Sequence, residues 1–178
     1  MELQEKRNLT VLVPKDAGVA VVQGAVVFGR QPGNITSRIL KYTYGTQVLD
    51  TFIPGVLDPD LLENINGKDH CTKLFGKFID MGTSVEAGKK VSKTYTTAVP
   101  NTSSVNIAVF TADEKNPDPM YTNEKGCRPL PPLTVTIPQS QELREIVVDY
   151  MFGVTELHLK AMDKLTQKPC EARLKLME

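Results

Sequence analysis

The 178-residue sequence has no tryptophan, only two histidines and three cysteines, and its charges cancel, 21 Lys and Arg against 21 Asp and Glu. Each shortage closes a class of function. A formal net charge of zero leaves no electrostatic pull towards nucleic acid or an anionic membrane surface. No apolar run approaches the roughly 20 residues that span a bilayer. Cys71, Cys127 and Cys170 are odd in number, far apart and outside any CxxC spacing. They read as free thiols of a reducing compartment, and the expected location is the cytoplasm. Metal binding needs three or four convergent ligands, and nothing in the chain has ligand spacing.

Catalytic chemistry is equally thin. His158 lies on the polar side of an alternating segment and reads as a surface residue. His70-Cys71 is the only adjacent nucleophile–base pair, and neighbours on a strand point to opposite faces. Asp58-Pro59-Asp60 and Asp113-Glu114 read as solvated loops rather than an acid–base pair. Gly18, Gly24 and Gly29 lack phosphate-loop spacing. The expectation is no catalytic residue and no metal site, and for this chain no enzyme.

What is present is period-2 alternation. Leu157, Leu159 and Ala161 fall on one face of a segment and Glu156, His158 and Lys160 on the other. After a polar turn, Cys170, Ala172, Leu174 and Leu176 alternate with Glu171, Arg173 and Lys175, which makes a closing antiparallel hairpin. Further strands are expected at Tyr44–Ile53, Thr72–Ile79, Val91–Ala98, Ser104–Ala112, Leu130–Ile137 and Leu143–Met151. Seven of the twelve prolines lie between Pro100 and Pro138, where they mark edges and loops. Asp58 to Lys68 reads as a loop excursion containing a helical turn. The fold class is mainly β, an antiparallel sandwich.

The first thirty residues differ. Leu9–Val13 reads as a strand buried on both faces, and Ala17–Phe28 as a helix apolar nearly all round, stopped at Gly29. Such a helix needs a larger body to bury it. Residues 1–30 are therefore expected to be the end of an incomplete domain, 31–43 a linker and 44–178 a β-sandwich domain.

By pattern alone, Val105, Ile107 and Val109, like Tyr95 and Thr97, share strand faces of the kind that pack a core. The wording of several segments adds to this. Leu157-His-Leu-Lys-Ala-Met-Asp-Lys-Leu-Thr-Gln-Lys168 resembles the penultimate strand and turn of the peptide-binding β-domain of the 70-kilodalton heat-shock protein superfamily. The divergent, lidless type-12 branch is the nearest in pattern. Tyr95-Thr-Thr-Ala-Val-Pro-Asn-Thr-Ser-Ser-Val-Asn-Ile107 is similar, without gaps, to one wall of that family's peptide groove. Val13-Pro-Lys-Asp-Ala17 and Ala20–Ala25 look like the last helix of its actin-like ATPase domain. The resemblance implies a groove lined by Tyr95, Ala98, Thr102, Val105 and Ile107, with Leu74 and Phe75 facing them. It implies extended apolar polypeptides as partners, co-chaperones, and ATP with Mg in a full-length parent but no cofactor in this chain. The typical acidic-leucine linker is missing between Arg30 and Tyr44, an insertion spans about Ile53 to Cys71, and no helical lid follows. The other reading is a small β-sandwich interaction module that docks folded partners without a groove.

Overall fold

A computed structural model describes residues 13, 16–31, 36–153 and 156–175. The chain divides into two compact units, residues 1–36 and 37–178. In the first, helix α1 (Ala17–Arg30) starts where the Val19 N–H donates to the Asp16 carbonyl at 3.0 Å and ends where Gln31 donates to Val27 at 2.9 Å. Arg30 in the last turn suits the negative end of the helix dipole. The helix runs through Gly29 rather than stopping there. None of its residues is buried, and Val21, Val22 and Val26 are among the exposed apolar side chains. Of the expected strand Leu9–Val13 only Val13 is described, and it is exposed.

The second unit is antiparallel throughout its described pairings. Its strands are β1 (Ser37–Ile39), β2 (Thr43–Thr51), β3 (Leu62–Ile65), β4 (Lys68–Ile79), β5 (Ser84–Glu86), β6 (Lys89–Thr96) and β7 (Ser104–Ile107). They continue with β8 (Val109–Ala112), β9 (Cys127–Pro129), β10 (Leu133–Thr136), β11 (Glu145–Phe152), β12 (Glu156–Asp163) and β13 (Pro169–Lys175). One sheet has the order β3-β4-β2-β8-β9 and another β13-β12-β11-β6, with β1-β5 and β10-β7 as small two-stranded additions. The alternation in sequence is the cause of this layering. In β11 Ile146, Val148, Tyr150 and Phe152 are all fully buried, and in β12 Leu157, Leu159 and Ala161 are too. The two large sheets meet through aromatic rings: Phe78 of β4 stacks on Tyr150 at 4.0 Å between centroids, and Tyr44 of β2 meets Phe152 edge-on at 6.0 Å. Ring pairs of this kind add to the burial that holds a sandwich closed.

Three boundaries differ from expectation. The expected linker 31–43 includes β1, and Leu40 lies in the core at 1% exposure, because β1 pairs with β5. The excursion after Ile53 contains a 3-10 turn at Pro59–Leu61, capped by Asp58, whose carboxylate accepts from the Asp60 N–H at 3.0 Å. It then returns as the β3–β4 hairpin. The single expected strand Ser104–Ala112 is broken at Ala108. Before the break β7 pairs with β10, and after it β8 pairs with β2.

Candidate functional site

The break at Ala108 opens a depression. β8 runs beside Thr43–Thr46 of β2, and the last bond of the seam is from the Gln47 N–H to the Ala108 carbonyl at 2.9 Å. Beyond it β7 turns away, so Val48 to Asp50 lose their neighbour on that side. β6, the edge strand of the other large sheet, borders the same gap. The result is an open cavity of about 390 Å³, lined by residues 46–50 of β2, 94–96 of β6 with Ala98 beyond its end, and 105–107 of β7. Three strand edges around one cleft leave backbone N–H and C=O groups for an added extended chain.

The structure brings four of the expected groove residues to this place: Tyr95, Ala98, Val105 and Ile107. Three others are elsewhere. Leu74 pairs with Val48 in the β2–β4 ladder but is not part of the lining; it is bridged to Tyr121. Phe75, by strand alternation, is on the opposite face of the sheet. There its ring covers Gly45, and the loop 113–126 runs along the edge of β4: the Phe75 N–H donates to the Met120 carbonyl at 2.9 Å, and Thr122 donates to the Gln47 amide oxygen at 3.1 Å. Thr102 is spent on its own turn, donating to the Val99 carbonyl at 2.8 Å. The wall facing β6 and β7 is therefore β2, with Val48 and Leu49 in the place expected for Leu74 and Phe75.

Sequence reasoning missed the polar base of the cavity. The Tyr95 hydroxyl lies 3.0 Å from that of Tyr150, and the Tyr150 hydroxyl 2.6 Å from Thr46 Oγ1. This chain of three hydroxyls ties β6, β11 and β2 together across the sandwich. Burial, reinforced by Tyr95, pushes the Tyr150 phenol far above its ordinary range, so it stays protonated. The strand alternation places Tyr150 in the core, but only the assembled sheets show that its hydroxyl meets two others.

A second buried polar device supports the end of β6. Arg144 and Asp163 form a doubly hydrogen-bonded ion pair, both side chains almost fully buried. The Arg144 N–H donates to Thr97 Oγ1 at 3.0 Å, and the Thr97 N–H returns a bond to the Arg144 carbonyl at 2.9 Å. Burial works against ionisation of Asp163, but hydrogen bonds from Thr166 and Arg144 outweigh it and hold the carboxyl at about 2.

The remaining chemical candidates separate. His70 and Cys71 point to opposite faces of β4, and burial raises the Cys71 thiol further from reactivity. His158 faces Glu171 at 3.4 Å on the outer side of its sheet. Asp113 closes a turn onto the Lys115 N–H at 3.0 Å. Among the described residues no group of three or more His, Cys, Asp or Glu could hold a metal ion, and no helix is long and apolar enough to cross a membrane.

Fold and cleft thus define an antiparallel β-sandwich with an open, strand-edged groove. No protein-family model matches the chain. It is 30% identical to human heat shock 70 kDa protein 12B over 94% of its length, which is 26% of that protein. It is 31% identical to mouse heat shock 70 kDa protein 12A and 30% to its human counterpart, in each case over 89% of this chain and 24% of the relative. The chain belongs to the 70-kilodalton heat-shock protein superfamily, in its type-12 branch. It spans about a quarter of the length of these relatives.

Proposed function

We propose that residues 37–178 are a chaperone-type client-binding domain that takes extended, predominantly apolar polypeptide segments into the cleft between β2, β6 and β7. The observation that carries this is the departure of β7 from β2 at Ala108, which leaves strand edges and the apolar side chains of Val48, Leu49, Val105 and Ile107 around one cavity. An extended segment would add its backbone bonds to these edges and place alternate side chains towards the cavity base. The full-length parent would couple this binding to ATP and Mg, and to co-chaperones, through a domain of which α1 is the last helix. The burial that α1 lacks in this chain would come from the rest of that domain. The family membership and the order of the matching segments support both parts of the reading.

The test is fluorescence anisotropy with a labelled Leu-rich heptapeptide. Wild type should bind with a Kd of about micromolar or weaker and release quickly, since the cleft is open to solvent. Val105→Phe should fill the cavity and weaken binding by at least about tenfold, roughly 1.4 kcal/mol. Lys160→Ala, on the outer side of β12, should bind like wild type. Equal binding by wild type and Val105→Phe, with both folded by thermal melting, would exclude the groove and leave a module that docks folded partners.

A further inference from the structure

The base of the cleft carries more information than its apolar walls. Tyr150 is fully buried, so its hydroxyl proton must go to one of its two neighbours, Thr46 or Tyr95. If Tyr95 donated to Tyr150 and Tyr150 to Thr46, the Thr46 proton would be left over. Thr46 borders the cavity but is only 2% exposed, and its hydroxyl has no other hydrogen-bond partner among the described residues, so this arrangement orphans a buried donor. In the opposite order Thr46 donates to Tyr150 and Tyr150 to Tyr95. The spare proton then sits on Tyr95, which is half-buried and lines the cavity. Each hydroxyl supplies one donor, so three hydroxyls joined by two bonds always leave one proton unplaced. Burial fixes it at the cleft.

From this we infer that the cleft selects segments with a β-hydroxyl side chain, threonine above all, at the position over Tyr95, flanked by apolar residues. The inference rests on the groove reading above and names the class of segment that groove takes. A strand laid along the edges of β2 and β6 directs its carbonyls sideways into those edges, so the group that reaches the base is a side chain. Threonine matches both surfaces there, its methyl against Val48 and Val105 and its oxygen accepting from Tyr95. Leucine would cover the same walls and leave the Tyr95 proton without a partner.

The probe is a set of labelled heptapeptides identical except at the centre, which is Thr, Val or Leu. Thr and Val are both β-branched and nearly the same shape, so their ratio reads a hydroxyl against a methyl at one position. Wild type should bind the Thr peptide about fivefold more tightly than the Val peptide, the worth of one net hydrogen bond. In Tyr95→Phe that ratio should fall to about one, whatever the absolute affinity. Lys160→Ala should keep it. A wild-type ratio of one or less overturns the inference even where the variant fails to fold. So does a ratio that survives Tyr95→Phe, or one in which Tyr95→Phe weakens both peptides equally, the signature of a bond to the ligand backbone. Those outcomes leave the groove standing. Failure of all three peptides to bind wild type removes the groove, and the inference with it.

Discussion

Two buried residues, Arg144 and Asp163, show how a single polar contact can hold an element that borders the cleft. The pair is closed to water, and Arg144 is also bonded through its main chain to Thr97, one residue past β6. Removing one partner leaves the other as an uncompensated buried charge. Asp163→Asn should therefore lower stability by about 3–5 kcal/mol, read from denaturant melts at pH 7. The pH dependence has a definite sign. The folded carboxyl lies at about 2, below its ordinary 3.8, so its contribution is complete above about pH 4 and is lost as pH falls towards 2. Thermal melts of wild type should show that slope, and those of Asp163→Asn should lack it. A variant as stable as wild type at pH 7 would mean the pair is not holding the end of β6. Residue by residue, the candidate site was half legible. Tyr95, Ala98, Val105 and Ile107 come from one motif that matches the family without gaps, whereas Thr102 of the same motif bonds to its own turn. Leu74 and Phe75 depended on which strand would face that motif and on which side each would point, and β2 took the place of β4. The hydroxyl chain joins positions up to 104 residues apart, so no local pattern encodes it.

Among the elements, β2 and β4 are packed too closely for a side chain at Gly45. A Cβ there would fall inside the envelope of the Phe75 ring, which is itself buried. Gly45→Ala should cost about 1–3 kcal/mol by overpacking, and Phe75→Leu in the same chain should recover part of it. Additive losses in chemical denaturation would show that the two residues do not oppose each other. Strands with clean alternation, β11, β12 and β13, were readable to within a residue or two because one face had to enter the core. β3 was not. Its turn signal, Asn66-Gly67, follows a stretch of helical spacing and reads there as a helix end. In the fold both residues have positive φ, 51° and 78°, the two-residue hairpin geometry that Asn-Gly favours. The break between β7 and β8 was also hidden, since Val105 to Ala112 alternates on either side of Ala108. Pairing with two different sheets, not local sequence, decides where such a strand divides.

For the whole molecule, the two units make different demands. Residues 37–178 pack their sheets around a buried core, whereas α1 presents apolar side chains on every side and buries none of them. Holding a triphosphate takes a nest of backbone N–H groups and a cation held by carboxylates or hydroxyls. Of the glycines of α1, Gly24 and Gly29 lie where the N–H groups are committed to the helix's own carbonyls, and together with Gly18 in the first turn they lack the spacing of a phosphate loop. The 178-residue chain by itself should therefore neither bind nor hydrolyse ATP, and its affinity for a heptapeptide should be the same with and without Mg-ATP. Because the formal net charge is zero and Asp50 is the one charged side chain in the cleft lining, the affinity for a heptapeptide with uncharged side chains should also change little with salt over the range that screens surface charges. Titration calorimetry reads nucleotide binding, phosphate release reads hydrolysis, and anisotropy reads the peptide affinity with and without nucleotide and across salt. A micromolar Kd for Mg-ATP, or a peptide affinity that moves with nucleotide, would place a nucleotide site within these residues and overturn the assignment of α1 as only the last helix of that domain.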